Sequence, residues 1–180
     1  ALRAMTSIGI FFGTDTGRTR LIAKQIAKKL GDVAAAPVNI GRATLEEFLA
    51  HDALILGCPT YGDGELPGES VGLKPSWEEF MPQLAGVDLS GKVIALYGLG
   101  DQKKYPAVFV DAIGILHEAL SDRGARLIGQ WPAAGYDFNA SRALEGENFL
   151  GLALDQVNQP VLTEARIDTW LAQIRPELLP

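Results

Sequence analysis

The sequence predicts an α/β fold in which five βα units build a parallel sheet covered by helices, and three observations carry that expectation. Short apolar runs rich in β-branched residues alternate with longer segments of helical spacing. The 180 residues, 47% of them hydrophobic, are one ordinary domain's length with enough apolar material for a buried core. Polar loops bearing glycine follow the first, third and fourth apolar runs, and ligands of open parallel sheets bind beyond the carboxyl ends of strands.

Residues 7–12 read as the first strand. Residues 17–30 follow as a helix, because Ile22, Ile26 and Leu30 recur on one face while Arg18, Lys24 and Lys28 lie elsewhere. Residues 34–40 form a weaker second strand. Thr44 caps a short helix, with Glu47 three positions on and Leu45, Phe48 and Leu49 as its apolar face. Residues 53–58 are the third strand, Ser76 with Glu79 is a second capping box for a helix to about Leu84, and residues 93–97 are the fourth strand. A helix over 107–121 has the seam Phe109, Ala112, Ile113, Leu116 and Leu120. Residues 125–128 and 149–154 read as two pieces of a fifth strand, parted by an insertion of about 131–148 that holds Pro132, Gly135, Asn139 and Gly146. A last helix starts at Thr163, with Ile167, Trp170, Leu171 and Ile174 at i, i+3, i+4, i+7 spacing. No linker or fixed-period repeat divides 1–180, so a single domain is expected.

Charge narrows the function. The formal net charge is −6, which excludes unspecific binding to nucleic acid or anionic lipid, since both need a basic surface. The longest apolar runs, 53–56 and 93–97, fall far short of the roughly 20 residues of a membrane span. Residues 1–5 are too short and too weakly apolar for a secretory signal, and the one cysteine, Cys58, has no partner for an internal disulfide. A reducing cytoplasm is therefore expected, with small ligands or basic protein surfaces as partners.

Three loops carry the candidate chemistry. Gly13-Thr14-Asp15-Thr16-Gly17-Arg18-Thr19 joins the first strand to its helix. Its hydroxyls and the unpaired N–H groups of a helix start form a donor-rich cup for a phosphate, although a polar turn with a threonine cap explains the same residues. The spacing matches neither G-x-x-x-x-G-K-[ST] nor G-x-G-x-x-G. Cys58-Pro59-Thr60-Tyr61-Gly62-Asp63-Gly64-Glu65-Leu66 and Gly98-Leu99-Gly100-Asp101-Gln102-Lys103-Lys104-Tyr105 each set one tyrosine among glycines and an aspartate, where a flat ring could be sandwiched.

Together Thr14-Asp15-Thr16-Gly17-Arg18-Thr19, Pro59-Thr60-Tyr61-Gly62-Asp63-Gly64 and Gly100-Asp101-Gln102 with Tyr105 resemble the three FMN-binding loops of the flavodoxin family. The split fifth strand is similar to that of the long-chain members. The resemblance implies a doubly wound, five-stranded parallel sheet of order 2-1-3-4-5, flanked by helices, with the insertion in the fifth strand. It implies an FMN phosphate on Thr14, Asp15, Thr16, Gly17, Arg18 and Thr19, with Arg18 exposed. Tyr61 and Tyr105 would flank the ring, and Pro59, Thr60, Leu99, Gly100, Asp101 and Gln102 would line its pocket. The peptide at Gly62-Asp63, beside Gly64, would turn to accept a bond from N5–H of the neutral semiquinone, and Asp155 would approach the ring edge. Val108 stands where many members carry Asn, and Tyr61 where several carry Trp.

The function so implied is a low-potential one-electron carrier, not an enzyme, cycling FMN mainly between semiquinone and hydroquinone. It would pass electrons as a monomer from a flavodoxin reductase to a low-potential acceptor. Residues 64–69 resemble the extended loop of flavodoxins that supply nitrogenase, which points to nitrogen fixation as a setting. The alternative is an FMN-dependent quinone reductase on the same fold, and fold likeness alone does not separate the two. A phosphoacceptor domain of the same topology would want paired acids after the first strand, where Phe11-Phe12-Gly13 stands.

Other conspicuous residues have plainer roles. Cys58 reads as a small buried hydrophobe, His51 and His117 lack metal-ligand spacing, and Trp77, Trp131 and Trp170 read as packing residues. Glu65, Glu69, Glu78 and Glu79 are either a solvated face or a patch that steers a basic partner.

Overall fold

The computed structural model describes residues 7–14 and 16–179. Its chain runs β1 (Gly9–Phe12), α1 (Arg18–Leu30), β2 (Val38–Asn39), α2 (Leu45–Leu49), β3 (Ala53–Pro59), α3 (Trp77–Phe80), β4 (Val93–Leu99) and α4 (Asp111–Ser121). It then passes through β5 (Arg126–Ile128), β6 (Trp131–Pro132), β7 (Leu144–Glu145), β8 (Asn148–Phe149) and β9 (Leu152–Leu154) to α5 (Thr163–Leu178). The main sheet has the order β2-β1-β3-β4-β5, every neighbour parallel. The direction of travel reverses between β1 and β3, which opens a crevice at their carboxyl ends.

The fifth position is filled twice along one neighbour. β5 pairs with Val93–Ala95, whereas β9 pairs with the next part of β4, Tyr97–Leu99. Between them the insertion folds into its own antiparallel sheet, β6-β8-β7. Phe149, expected in the second half of the fifth strand, belongs to this small sheet. At Gly151 the chain passes so close to the Leu96 carbonyl that a Cβ would strike it, and the parallel strand resumes only at Leu152.

Strand alternation explains both cores. Leu54, Leu56 and Cys58 of β3 face one side, with Phe48, Trp77, Phe80, Phe109 and Leu116 of α2, α3 and the α4 region. Ala53 and Ile55 face the other, with Ile22 and Ile26 of α1 and Ile167, Trp170 and Ile174 of α5. Helices on both faces make the sheet doubly wound.

The first strand starts at Gly9 and not at residue 7, and three further elements are shorter than their sequence patterns for identifiable reasons. The second strand keeps only Val38–Asn39, because Pro37 offers no N–H to a ladder; Ala34 makes an isolated bridge to Ile8. α3 ends at Phe80 and tightens into a 3₁₀ turn, Met81–Leu84, because Pro82 lacks the N–H that an α-helix would bond to Glu78. α4 begins at Asp111 and not at 107, since Val110 has φ 48° and the preceding backbone is bonded elsewhere: Phe109 N–H donates to the Ala140 carbonyl at 3.3 Å. The Thr44 cap forms as expected, Glu47 N–H donating to Thr44 Oγ1 at 3.1 Å and Thr44 N–H to Glu47 Oε1 at 3.0 Å. Among the described residues no helix is long and apolar enough to cross a membrane.

Candidate functional site

The site forms where β1, β3 and β4 end. Thr14 Oγ1 accepts a hydrogen bond from Gly17 N–H at 2.9 Å, and Gly17 enters α1 with φ 88°, a conformation that favours glycine. The first turn of α1 carries no acid, and the N–H groups and the positive dipole end that a helix start presents lie toward the loop. Tyr97, wholly buried in β4, donates from its hydroxyl to the Thr19 carbonyl at 2.9 Å and so ties this helix start to the middle of the sheet. Asp15 lies outside the described residues.

Thr14 and Gly17 line a hollow of about 530 Å³ toward Asn39 and Arg42, and Thr16 borders both this hollow and a cleft of about 370 Å³ lined further by Arg18, Thr19, Pro59, Thr60, Tyr61, Leu99, Gly100, Asp101 and Tyr105. A second cavity of about 200 Å³ continues it beneath Tyr61, Gly62, Gly100, Asp101 and Tyr105. Both tyrosines stand at the shared boundary. Tyr61 is half-buried, whereas Tyr105 is 49% exposed with the Lys104 ammonium 5.4 Å from its ring centre. Arg18 is exposed and borders the cleft.

The turn after β3 is tightly closed. Tyr61 and Glu65 exchange backbone hydrogen bonds, 2.9 Å and 2.6 Å, and Gly64 N–H also donates to the Tyr61 carbonyl at 3.1 Å. Gly62, with φ 53°, lines the second cavity, while Asp63 and Gly64 face a groove on the other side of the turn with Glu65 and Leu66.

Asp155 does not reach the cleft. It is fully buried, and its carboxylate accepts hydrogen bonds from Gln102 N–H (3.1 Å), Gln102 Nε2 (2.8 Å), Val157 N–H (3.0 Å), Asn158 N–H (2.8 Å) and Asn158 Nδ2 (2.9 Å). Burial alone would push this carboxyl up; the bonds from Asn158 and Gln102 outweigh it and hold the group below its ordinary value. Gln102 is likewise buried, its side chain spanning from Asp155 to Asp137 N–H at 2.6 Å. Asp155 and Gln102 therefore shape the third loop from beneath, and neither side chain lines the cleft. Asp101 Oδ1 completes the arrangement by accepting from Lys103 and Lys104 N–H and from Asn158 Nδ2, the last at 2.7 Å.

Sequence reasoning missed Lys104, Gln156, Val157, Phe109 and Val110 in the cleft walls. Gln156 and Val157 follow β9, so the rule that ligands sit past strand ends could have found them. The acidic loop also holds a surprise. Glu78 and Glu79 are spent on the 68–76 backbone: Ser70 N–H donates to Glu78 at 2.9 Å, Glu69 N–H to Glu79 at 3.2 Å and Ser76 N–H to Glu79 at 2.8 Å. The Ser70 hydroxyl bonds to Glu78 as well, and these bonds draw its carboxyl down. Cys58 and Trp77 are fully buried core residues, and burial pushes the Cys58 thiol up.

A doubly wound sheet with a donor-lined helix start and two tyrosines at one crevice defines a flavin- or nucleotide-binding class of α/β protein. Comparison with known proteins narrows the class. The flavodoxin family profile matches residues 10–170. A flavodoxin of Klebsiella pneumoniae is 56% identical over 176 residues, covering 97% of this chain and 100% of that one. A flavodoxin of Synechocystis is 45% identical over 175 residues, covering 97% and 99%. The crystal structure of Fusobacterium nucleatum flavodoxin bound to flavin mononucleotide superposes with a TM-score of 0.87 at 32% identity, covering 96% of this chain and 99% of that one. The chain belongs to the flavodoxin family.

Proposed function

We propose that this protein carries single electrons on one non-covalently bound FMN, taking them from a reductase and passing them to a low-potential acceptor. One observation carries the reading: the crevice of the sheet brings a donor-lined helix start and the Tyr61 and Tyr105 rings to one continuous cleft. These residues fit the group. A phosphate suits Thr14, Asp15, Thr16, Gly17, Arg18 and Thr19, because a helix N-terminus favours an anion and hydroxyls supply further donors. A flat ring suits the gap between the tyrosines, walled by Pro59, Thr60, Leu99, Gly100 and Asp101, with Gln102 supporting the loop from beneath. FMN, when bound, supplies what no side chain here offers, reversible uptake of single electrons at its ring.

The chain's own residues tune that chemistry. Phenol rings against both faces and a net charge of −6 oppose added electron density, which lowers the potential of the last electron. Gly62, already in the left-handed region, lets the peptide it shares with Asp63 turn at little cost and offer its carbonyl to the ring. Asp155 holds Gln102 and hence the third loop in place. Exposed Glu65 and Glu69 attract a basic partner at low salt without fixing a tight complex. The carrier works as a monomer in a reducing cytoplasm, which suits the lone buried thiol of Cys58. The likeness of residues 64–69 to nitrogenase-supplying members makes nitrogenase the first acceptor to assay.

The test is direct. The purified protein is yellow, or its apo form quenches the fluorescence of added FMN, and stepwise dithionite yields a blue one-electron-reduced species. A colourless protein that leaves FMN fluorescence unchanged overturns the function. Steady NADH-to-quinone turnover without a separate reductase would replace it with the quinone-reductase reading.

A further inference from the structure

Asp111 opens α4 and is 4% exposed. An acid at a helix start is an ordinary complement to the helix dipole, but such an acid normally stands in water. This carboxyl is buried against two other segments. Its Oδ1 accepts from Arg142 N–H of the insertion at 2.8 Å. Its Oδ2 lies against Gly64 so closely that a Cβ on that glycine, where φ is 96°, would stand 2.5 Å from it. The next residue of the helix, Ala112, donates its N–H to Thr60 Oγ1 at 3.0 Å. Ala112 thus holds Thr60, just before the closed 61–65 turn, and Asp111 lies against Gly64 within it.

The other side of this junction is equally fixed. Asn139 and Ala140 N–H both donate to the Pro106 carbonyl, at 2.7 Å and 3.0 Å, and the Ser141 hydroxyl donates to the Phe109 carbonyl at 2.5 Å. Gly114 of α4 packs so tightly on the Arg142 carbonyl that a Cβ would collide with it. The 139–142 stretch of the insertion is therefore bound to the start of α4, and Asp111 is the side chain that links that stretch to Gly64.

We propose that Asp111 is a positioning residue: it seats the 61–65 turn against the insertion and so sets the resting geometry of the peptides that face the flavin. This rests on the function proposed above and adds a mechanical role for the insertion. Shape and hydrogen-bond acceptance do the seating. The conservative Asp111→Asn keeps an oxygen for Arg142 N–H and a planar group under Gly64. Asp111→Ala leaves that N–H without its partner and a void beneath the turn.

The experiment uses the FMN-loaded protein and two readouts. Amide hydrogen exchange at Gly64 and Glu65 reports opening of the turn, and the maximum of the blue species in a dithionite titration reports how the turn meets the ring. In Asp111→Ala, exchange at both amides rises roughly tenfold and the formation constant of the one-electron-reduced form falls roughly fivefold to tenfold, the scale of one net hydrogen bond. Asp111→Asn stays within about twofold of the parent on both. Unchanged exchange in Asp111→Ala overturns the proposal. Faster exchange with an unchanged blue maximum also overturns it, because the residue would then be structural and uncoupled from the ring. A parent protein that binds no FMN overturns the function and this coupling together, and is told apart because it needs no variant.

Discussion

Replacing Asp155 by alanine removes the acceptor on which the third loop is built. Its carboxylate takes five hydrogen bonds, but the donors are not equivalent. Those of Val157 and Asn158 lie on partly accessible residues and can turn to water, whereas the two of Gln102 belong to a residue only 3% exposed. A buried donor left without a partner costs about 1–3 kcal/mol, so the two Gln102 groups together cost about 2–6 kcal/mol. For a domain of this size each kcal/mol lowers the midpoint by about 2–4 °C, which gives a fall of roughly 4–24 °C. Thermal unfolding of the FMN-loaded variant, followed by circular dichroism and flavin fluorescence, measures it. The same substitution weakens FMN binding, because Asp101 and Gln102 lose their support from below. Asp155→Asn retains one acceptor and falls between. An Asp155→Ala variant that melts within about 2 °C of the parent refutes the reasoning, since even one unsatisfied buried donor costs more.

Three further outcomes are expected. Asp155 titrates below its ordinary value of 3.8 in the folded chain, so its contribution is present above that pH and is lost as pH falls through the folded value; the stability gap between parent and Asp155→Asn in denaturant titrations narrows below pH 3.8 and is constant above pH about 5. Tyr97→Phe deletes the bond to the Thr19 carbonyl and costs about 0.5–1.5 kcal/mol, read as a lower urea midpoint with an unchanged slope; an unaltered midpoint would show that the bond contributes nothing net. The Cys58 thiol is fully buried and raised by burial, so it reacts with Ellman's reagent only when the chain unfolds; rapid labelling of the native protein contradicts its place in the core.

Local chemistry made much of this molecule legible in one dimension. The Ile22, Ile26, Leu30 stripe of α1 and the Ile167, Trp170, Leu171, Ile174 stripe of α5 are buried as their periodicity requires. The Thr44 and Glu47 cap depends only on residues three apart. The three glycine loops could be found because each follows its strand directly, and strand ends in such a sheet converge on one crevice. Local patterns erred where a distant segment competed for the same backbone. The helical spacing from 107 lost to bonds with the insertion, and residues 34–40 lost most of their pairing to Pro37.

Tertiary structure alone decided which groups meet beneath the loops. Asp155 and Gln102 are separated by 53 residues in sequence, Tyr97 and Thr19 by 78, Arg142 and Asp111 by 31. Each pair is created by sheet register or by the seating of the insertion, and neither leaves a periodic trace in the sequence. The identity of a side chain tells what it can accept or donate. Whether burial obliges it to do so, and toward which partner, depends on the strands and loops folded over it.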